Sequence, residues 1–462
     1  MSKSVHKSRF FRPLRSFVVP LLICLSSLIS VSPAVFAGIH RAPIILVANK
    51  IRATTGYAVS QYRLFRKGAN GEAVSIPFQI DEVNKIGDYV LNEGPKPNQS
   101  TADGIFDGLD ELSFMGDDVG DVGQPKSWPE NKAPDQIFEL RLTAPGELGE
   151  VREGAVYIGI YGQHAPLLIS QKYVIFDINS GEVRTSRYRY LFDRQNYLVV
   201  NGVDMLKNSQ PSSEAERVPL IDSSTFYAKA DLKYFVTVQV NHRSVNSRLE
   251  AYKTGPIRTI VRVMFFYSFL KLNFEVGMYT EVSFFSNSVI LPAIIYNPLD
   301  GVKNLNKGSG FYYGFALHDP PTKFQFDTNM QPYSNLQGTS NLLDFIKQNR
   351  PALEREYWAS LIGEDRMMYV SMRPSATMLS DGNVPFYYVA DQSGEELKKR
   401  NNNLMKPLTE SPVNLGLYFD LTKFREGEHL MSFQLFFENK KDYKSLETFK
   451  NLNRWMLRVT RM

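Results

Sequence analysis

The chain reads as a mainly β protein: an N-terminal β-sandwich followed by a larger antiparallel β domain, sandwich or supersandwich-like, with a few peripheral helices. Three observations predict this. Alternation with period two recurs from end to end, with side chains standing on opposite faces of each run. Aromatic residues reach 13%, with 31 Phe and 24 Tyr, a composition that suits strands. Clusters of Gly, Asn, Pro and Asp punctuate the runs at short intervals, as turns between strands require.

Residues 38–165 form the first domain. Its strand candidates are Pro43–Val47, Tyr57–Phe65, Val74–Ile80, Ile137–Leu142 and Ala155–Tyr161, short and turn-separated, the pattern of a sandwich. Gly162-Gln163-His164-Ala165-Pro166 marks its end. Residues 166–462 form the second domain. Tyr173–Ile178 and Glu182–Tyr190 flank Asn179-Ser180-Gly181 as a hairpin, and Asn201-Gly202 reads as a two-residue turn.

The strongest alternation follows. Val261, Val263, Phe265, Tyr267 and Phe269 share one strand face, with Arg258 and Arg262 on the other. Val276, Met278, Val282 and Phe284 oppose Glu275, Gly277, Tyr279 and Glu281. Such runs call for a large antiparallel sheet with one wet face. A lipid-facing barrel would alternate too, but three helix signals interrupt the C-terminal third. Pro351 opens a pattern carried by Leu353, Tyr357 and Leu361 and closed by Gly363; Ser393-Gly394-Glu395-Glu396 has capping-box spacing; Asp442 to Asn451 reads as a third helix. Arg366–Met372, Val413–Phe419, Leu430–Glu438 and Trp455–Val459 then return the chain to the sheets.

Residues 1–37 read as a bacterial signal peptide. Lys3, Lys7, Arg9, Arg12 and Arg15 precede the apolar run Phe17–Val31, and Val35-Phe36-Ala37 offers a cleavage site after Ala37. The expected location is the periplasm or the exterior. The full chain carries 53 Lys+Arg against 48 Asp+Glu, a charge of +5, and loses those five basic residues on cleavage to reach balance. A balanced mature chain gives no footing for nucleic acid. The single cysteine, Cys24, leaves with the signal, which removes disulfides, thiolate metal sites and thiol catalysis together. Leu22-Ile23 before it is not the small-residue context of a lipidated cysteine, and no later segment is apolar for long enough to span a membrane.

Site candidates are few. Asp103, Asp107, Asp110 and Glu111 lie in an aspartate- and glycine-rich stretch that can gather oxygen ligands around calcium, the one cofactor the sequence offers. Counted as an EF-hand from Asp103, the third and twelfth positions are Ile105 and Phe114, so that motif is not met. The same aspartates suit better a turn in which carboxylates cap backbone amides. The second group is Arg258, Arg262, Tyr279 and Glu281 on one polar strand face, with His242 nearby in sequence, as a ligand surface. Glu275 and Glu281 on one strand would stand roughly 20 Å apart, too far to act as an acid–base pair. No histidine pair has metal-ligand spacing, and no nucleophile elbow, P-loop or dinucleotide fingerprint occurs.

Pro77, Gln79, Asp81 and Glu82, then Asp103, Gly104, Asp107, Asp110, Glu111 and Leu112, fit a P-x-Q-[IV]-D-[DE] strand followed by a D-G-x-x-D-x-x-D-E-L segment. Thr254-Gly255-Pro256-Ile257-Arg258 adds a G-P-[IV]-R strand start. In these motifs the chain resembles a set of uncharacterised secreted bacterial proteins. The resemblance implies polysaccharide handling and a mutarotase-like supersandwich, and assigns no catalytic residue. Two functions follow: an exported β protein binding a polysaccharide or envelope partner without catalysis, or a carbohydrate-active lyase or epimerase-like enzyme. Because no acid–base pair can be located, the first is expected.

Overall fold

The computed structural model describes residues 42–145, 150–206, 217–233, 237–241, 245–269, 272–297, 300–319, 323–326, 329–332, 357–364, 366–374, 386–391, 413–439 and 455–462. The expected signal peptide, His242 and the helix signals at Ser393 and Asp442 lie outside them. No helix among the described residues is long and apolar enough to cross a membrane.

Antiparallel sheets dominate. Near the N-terminus a 3-stranded sheet (Pro43–Val47, Glu111–Met115, Gln79–Asp81) faces a 5-stranded one. The core between them is built by Ile44, Leu46, Leu112 and Phe114 from the first and Leu64, Phe138, Leu140, Val156 and Ile158 from the second. The 5-stranded sheet recruits the far end of the chain: Met456–Arg461 pairs with Gln136–Pro145, and Trp455, Leu457 and Val459 pack against the same core. A single cut at residue 165 therefore separates strands that share a sheet.

Among the described residues, two 9-stranded sheets make the larger body. One runs from Phe386–Asp391 to the edge strand Val174–Asp177; the other runs from Val245–Thr254 through Thr259–Phe269 and Leu272–Phe284 to Asn329–Pro332. Tyr188, Tyr190, Phe192 and Val203 from the first meet Val261, Val263, Val282, Phe284 and Leu435 from the second in one apolar core. The alternation is realised where side chains are described, with Val261, Val263, Val282 and Phe284 facing inward, and it is interrupted by a register shift between Met264 and Phe266.

Local expectations change in four places. Val74–Ile80 is not one strand: Pro77 lies between Ala73–Ser75 and Gln79–Asp81, which join different sheets. Glu182–Tyr190 likewise divides, since Thr185 Oγ1 turns inward to accept from the amides of Arg187 and Tyr188. Asn201-Gly202 is a bulge within Asn196–Leu206, where Leu191 opposes Gly202 and Phe192 opposes Val200, and Gly202 takes φ 152°. The helix expected behind Pro351 is, from Tyr357 on, the strand Tyr357–Ile362 paired with Arg366–Pro374. Leu361 faces the main core and Ile362 a second cluster around Ala42. A run buried on both faces loses its period-two signature, which is why a helical reading fitted it. Among the described residues one α-helix remains, Gly301–Asn304.

Candidate functional site

The three motifs that carry the resemblance meet at one place. Arg258 immediately precedes the strand Thr259–Phe269, after Gly255-Pro256-Ile257, and is only 1% exposed. Its Nε donates to Asp81 Oδ2 at 2.8 Å and its Nη2 to Glu111 Oε2 at 2.8 Å. Gln79 organises the approach: its Oε1 accepts from the amides of Ile257 at 3.2 Å and Arg258 at 3.0 Å, while its Nε2 donates to both oxygens of Asp81. Gly255 is required because a Cβ there would collide with the Gln79 carboxamide. Lys253 supplies a second cation, its Nζ lying 2.9 Å from Asp81 Oδ1.

This cluster is balanced, with two cations and two carboxylates, and Arg258, Asp81 and Glu111 are buried while Lys253 is partly exposed. Burial alone would push the Asp81 carboxyl up, but Lys253 and Arg258 outweigh it and bring it down to about 2. The Arg258 guanidinium also lies 4.9 Å from the ring centre of Tyr89 and 5.7 Å from that of Phe285.

Tyr89 links this cluster to a second one. Its hydroxyl donates to Glu111 Oε2 at 2.7 Å. Its carbonyl accepts from Arg262 Nη2 at 2.8 Å and its amide donates to Glu281. Arg262 in turn donates from Nε and Nη2 to Glu281 Oε1, at 3.0 and 2.7 Å. Tyr279, whose ring lies 5.3 Å from the Arg262 guanidinium, donates its hydroxyl to Asp88 Oδ1. Burial pushes the Glu281 carboxyl up; Arg262 partly offsets this, Asp88 adds to it, and the result is about 7.

Arg258, Arg262, Tyr279 and Glu281 therefore share one sheet face, but that face is covered. Residues 82–98 of the N-terminal sandwich lie across it as a strap: Glu93 exchanges both backbone hydrogen bonds with Tyr252, and Lys96 N donates to Glu250 O. Tyr89 and Leu91 pack on Ala251 and Ile260. Arg262 is 6% exposed and Glu281 8%. The wet face expected from the alternation is a contact between the two bodies. Alternation fixes which residues share a face and says nothing about what lies on it.

The aspartate-rich stretch is organised by capping. Asp110 Oδ1 accepts from Val83 N at 2.7 Å and Oδ2 from Asp107 N at 3.0 Å; Asp103 Oδ1 accepts from Ile105 N. Glu82 Oε1 accepts from the amides of Asp103 and Gly104. Burial lifts the Asp110 carboxyl to about 6 against the pull of those two amides. Glu111 points instead to Arg258 and Tyr89. Among the described residues no three His, Cys, Asp or Glu side chains are grouped as a metal site. His318 bonds Asp222 at the surface.

Sequence reasoning found Arg258, Arg262, Tyr279 and Glu281 through alternation, and Gln79 and Asp81 through the motif. It missed Asp88, Tyr89 and Lys253. Nothing in the spacing of Asn84-Lys85-Ile86-Gly87-Asp88-Tyr89 marks a turn that crosses to another body.

No family model matches the chain, and no curated protein does. Among solved structures it is similar to a glycosyl hydrolase family 38 protein from Enterococcus faecalis, with 8% identity, a TM-score of 0.42, and coverage of 91% of this chain and 46% of that one. An alpha-mannosidase from Enterococcus faecalis V583 gives 8% identity and a TM-score of 0.42 over 92% of this chain and 45% of the other. The Slr1438 protein from Synechocystis sp. PCC 6803 gives 9% identity and a TM-score of 0.26 over 61% of this chain and 100% of that one. The chain thus spans less than half the length of the two Enterococcus proteins. Similarity at these TM-scores carries no argument about function.

Proposed function

We propose that this chain is an exported bacterial β protein that binds an envelope component, polysaccharide or protein, without turning it over. One observation carries the non-catalytic reading. The densest constellation of carboxylates, cations and tyrosines among the described residues is spent on holding two β bodies together, with Arg258 at 1% exposure. A proton donor or acceptor must come within about 3 Å of a substrate atom, and these side chains cannot do so while the strap lies over them. The polysaccharide side of the proposal is motivated by the resemblance of the three motifs, and export by the sequence before Ala37.

Exported protein should begin at Gly38 on N-terminal sequencing. Full mature chain is then incubated with a panel of acidic and neutral polysaccharides, with retention in affinity gels and product release read in parallel. Retention without new reducing ends or unsaturated products supports the proposal. Product release would overturn it in favour of a lyase or epimerase-like enzyme. If no polysaccharide retards the chain, crosslinking to isolated envelope fractions tests the protein partner, and failure there as well removes the binding role.

A further inference from the structure

The two ionic clusters differ in charge balance. Around Arg258, the cations Arg258 and Lys253 match the carboxylates Asp81 and Glu111. Around Arg262, one guanidinium faces two carboxylates, Glu281 and Asp88. The groups that face Glu281 are Arg262 from the neighbouring strand, Asp88 and the Tyr89 amide from the strap, and Tyr279, which adjoins it on its own strand. With every acid ionised, this half-sealed cluster holds one negative charge more than its cation can balance. Burying such a charge is costly, and a buried group relieves the cost by taking up a proton.

We propose that Glu281 is a proton-binding site that ties the seating of the 82–98 strap to pH, the strap being held most firmly in acidic surroundings and loosened as they approach neutrality. Protonated Glu281 still accepts from Arg262 and from the Tyr89 amide, and Asp88 then balances Arg262. Deprotonated Glu281 is relieved by lifting the strap, which lets water reach the carboxylate.

The sign follows from linkage. The seated carboxyl titrates near 7 against 4.5 for an ordinary glutamate. Its contribution to seating is therefore complete below 4.5 and is lost as pH rises through about 7. Asp81 works oppositely: its contribution is present above 3.8 and lost as pH falls through about 2. Seating is firmest where both contributions are complete, above 3.8 and below 4.5.

Hydrogen exchange of the full mature chain, read on peptides spanning 82–98 from pH 5.5 to 8.5 and corrected for intrinsic base catalysis, tests this. Wild-type protection in the strap should fall by up to about tenfold per pH unit, the limit for one linked proton, between pH 5.5 and about 7 and level off above that, while peptides over Val156 and Ile158 stay level throughout. Glu281→Gln, neutral at every pH, should abolish the slope. Asp88→Asn, which removes the surplus charge but keeps an acceptor for Tyr279, should move the inflection to lower pH. A Glu281→Gln protein that keeps the wild-type slope, or wild-type protection that rises with pH, overturns the proposal. If Glu281→Gln does not fold, Asp88→Asn decides: an unmoved inflection overturns it.

Discussion

Replacing Arg258 with Met is the sharpest test of the contact between the two bodies. The substitution keeps much of the apolar stem, and it removes the guanidinium that lies over Tyr89 and Phe285 and serves Asp81 and Glu111. Asp81 retains Lys253 and Gln79, and Glu111 retains the hydrogen bond from Tyr89 but loses the Arg258 guanidinium. Removing one partner from a buried pair costs about 3–5 kcal/mol because a charge is left uncompensated. Exposures of 1% for Arg258, 0% for Asp81 and 3% for Glu111 place this cluster at the full end of that range, with no discount for solvent screening. Chemical denaturation at pH 7 should show that loss. It should shrink toward pH 4, since stranded carboxylates have their pKa raised by burial, and their stabilising contribution returns as they take up protons. Wild-type Asp81 stays ionised down to about 2 and gains nothing in that interval. Combining Arg258→Met with Asp81→Asn and Glu111→Gln should restore most of the stability, because no buried charge then lacks a partner. A loss below about 1 kcal/mol for Arg258→Met at pH 7, or one that grows on acidification, would refute the reasoning.

Two further outcomes follow from the same geometry. Gly255→Ala drives a methyl group into the Gln79 carboxamide, so it should cost about 1–3 kcal/mol through displaced backbone acceptors, and thermal unfolding of the single variant measures it. Millimolar calcium should leave the melting temperature unchanged, because Asp103 and Asp110 already serve backbone amides and Glu111 serves Arg258; a rise abolished by Asp107→Asn would restore the calcium loop.

Much of the large sheet was legible in the sequence. Val261, Val263 and Val282 alternate with Arg262 and Glu281, and the structure buries the valines at 0%, 1% and 4% and places Arg262 opposite Glu281 in register. Period-two alternation is a local signal, and pairing of adjacent strands preserves it. What failed was non-local. Met456–Arg461 crosses to a sheet formed more than three hundred residues earlier, and nothing in its own pattern records that destination. Leu361 and Ile362 sit between two cores, which erases the alternation that would have identified their strand. The strap was invisible for the same reason: Tyr89 acts through its backbone as much as its ring, and backbone groups leave no mark on sequence.

The three motifs come together as the parts of a joint. A joint needs what a binding site needs, namely directional groups that accept one arrangement and reject its neighbours. Leu91, Ala251 and Ile260 could pack in several offsets along the sheet, since apolar contact is non-directional. The Arg258 fork reaches Asp81 and Glu111 together in one offset, and Gln79 reads the backbone amides of Ile257 and Arg258 in that same offset. Polar specificity of this kind adds little net stability, because desolvation offsets most of the attraction. On this reading, recovered stability in the triple variant is a different quantity from recovered seating. The uncharged cluster can be as stable as the native one while the 82–98 strap exchanges faster, and unfolding and strap exchange measured on the same protein separate the two.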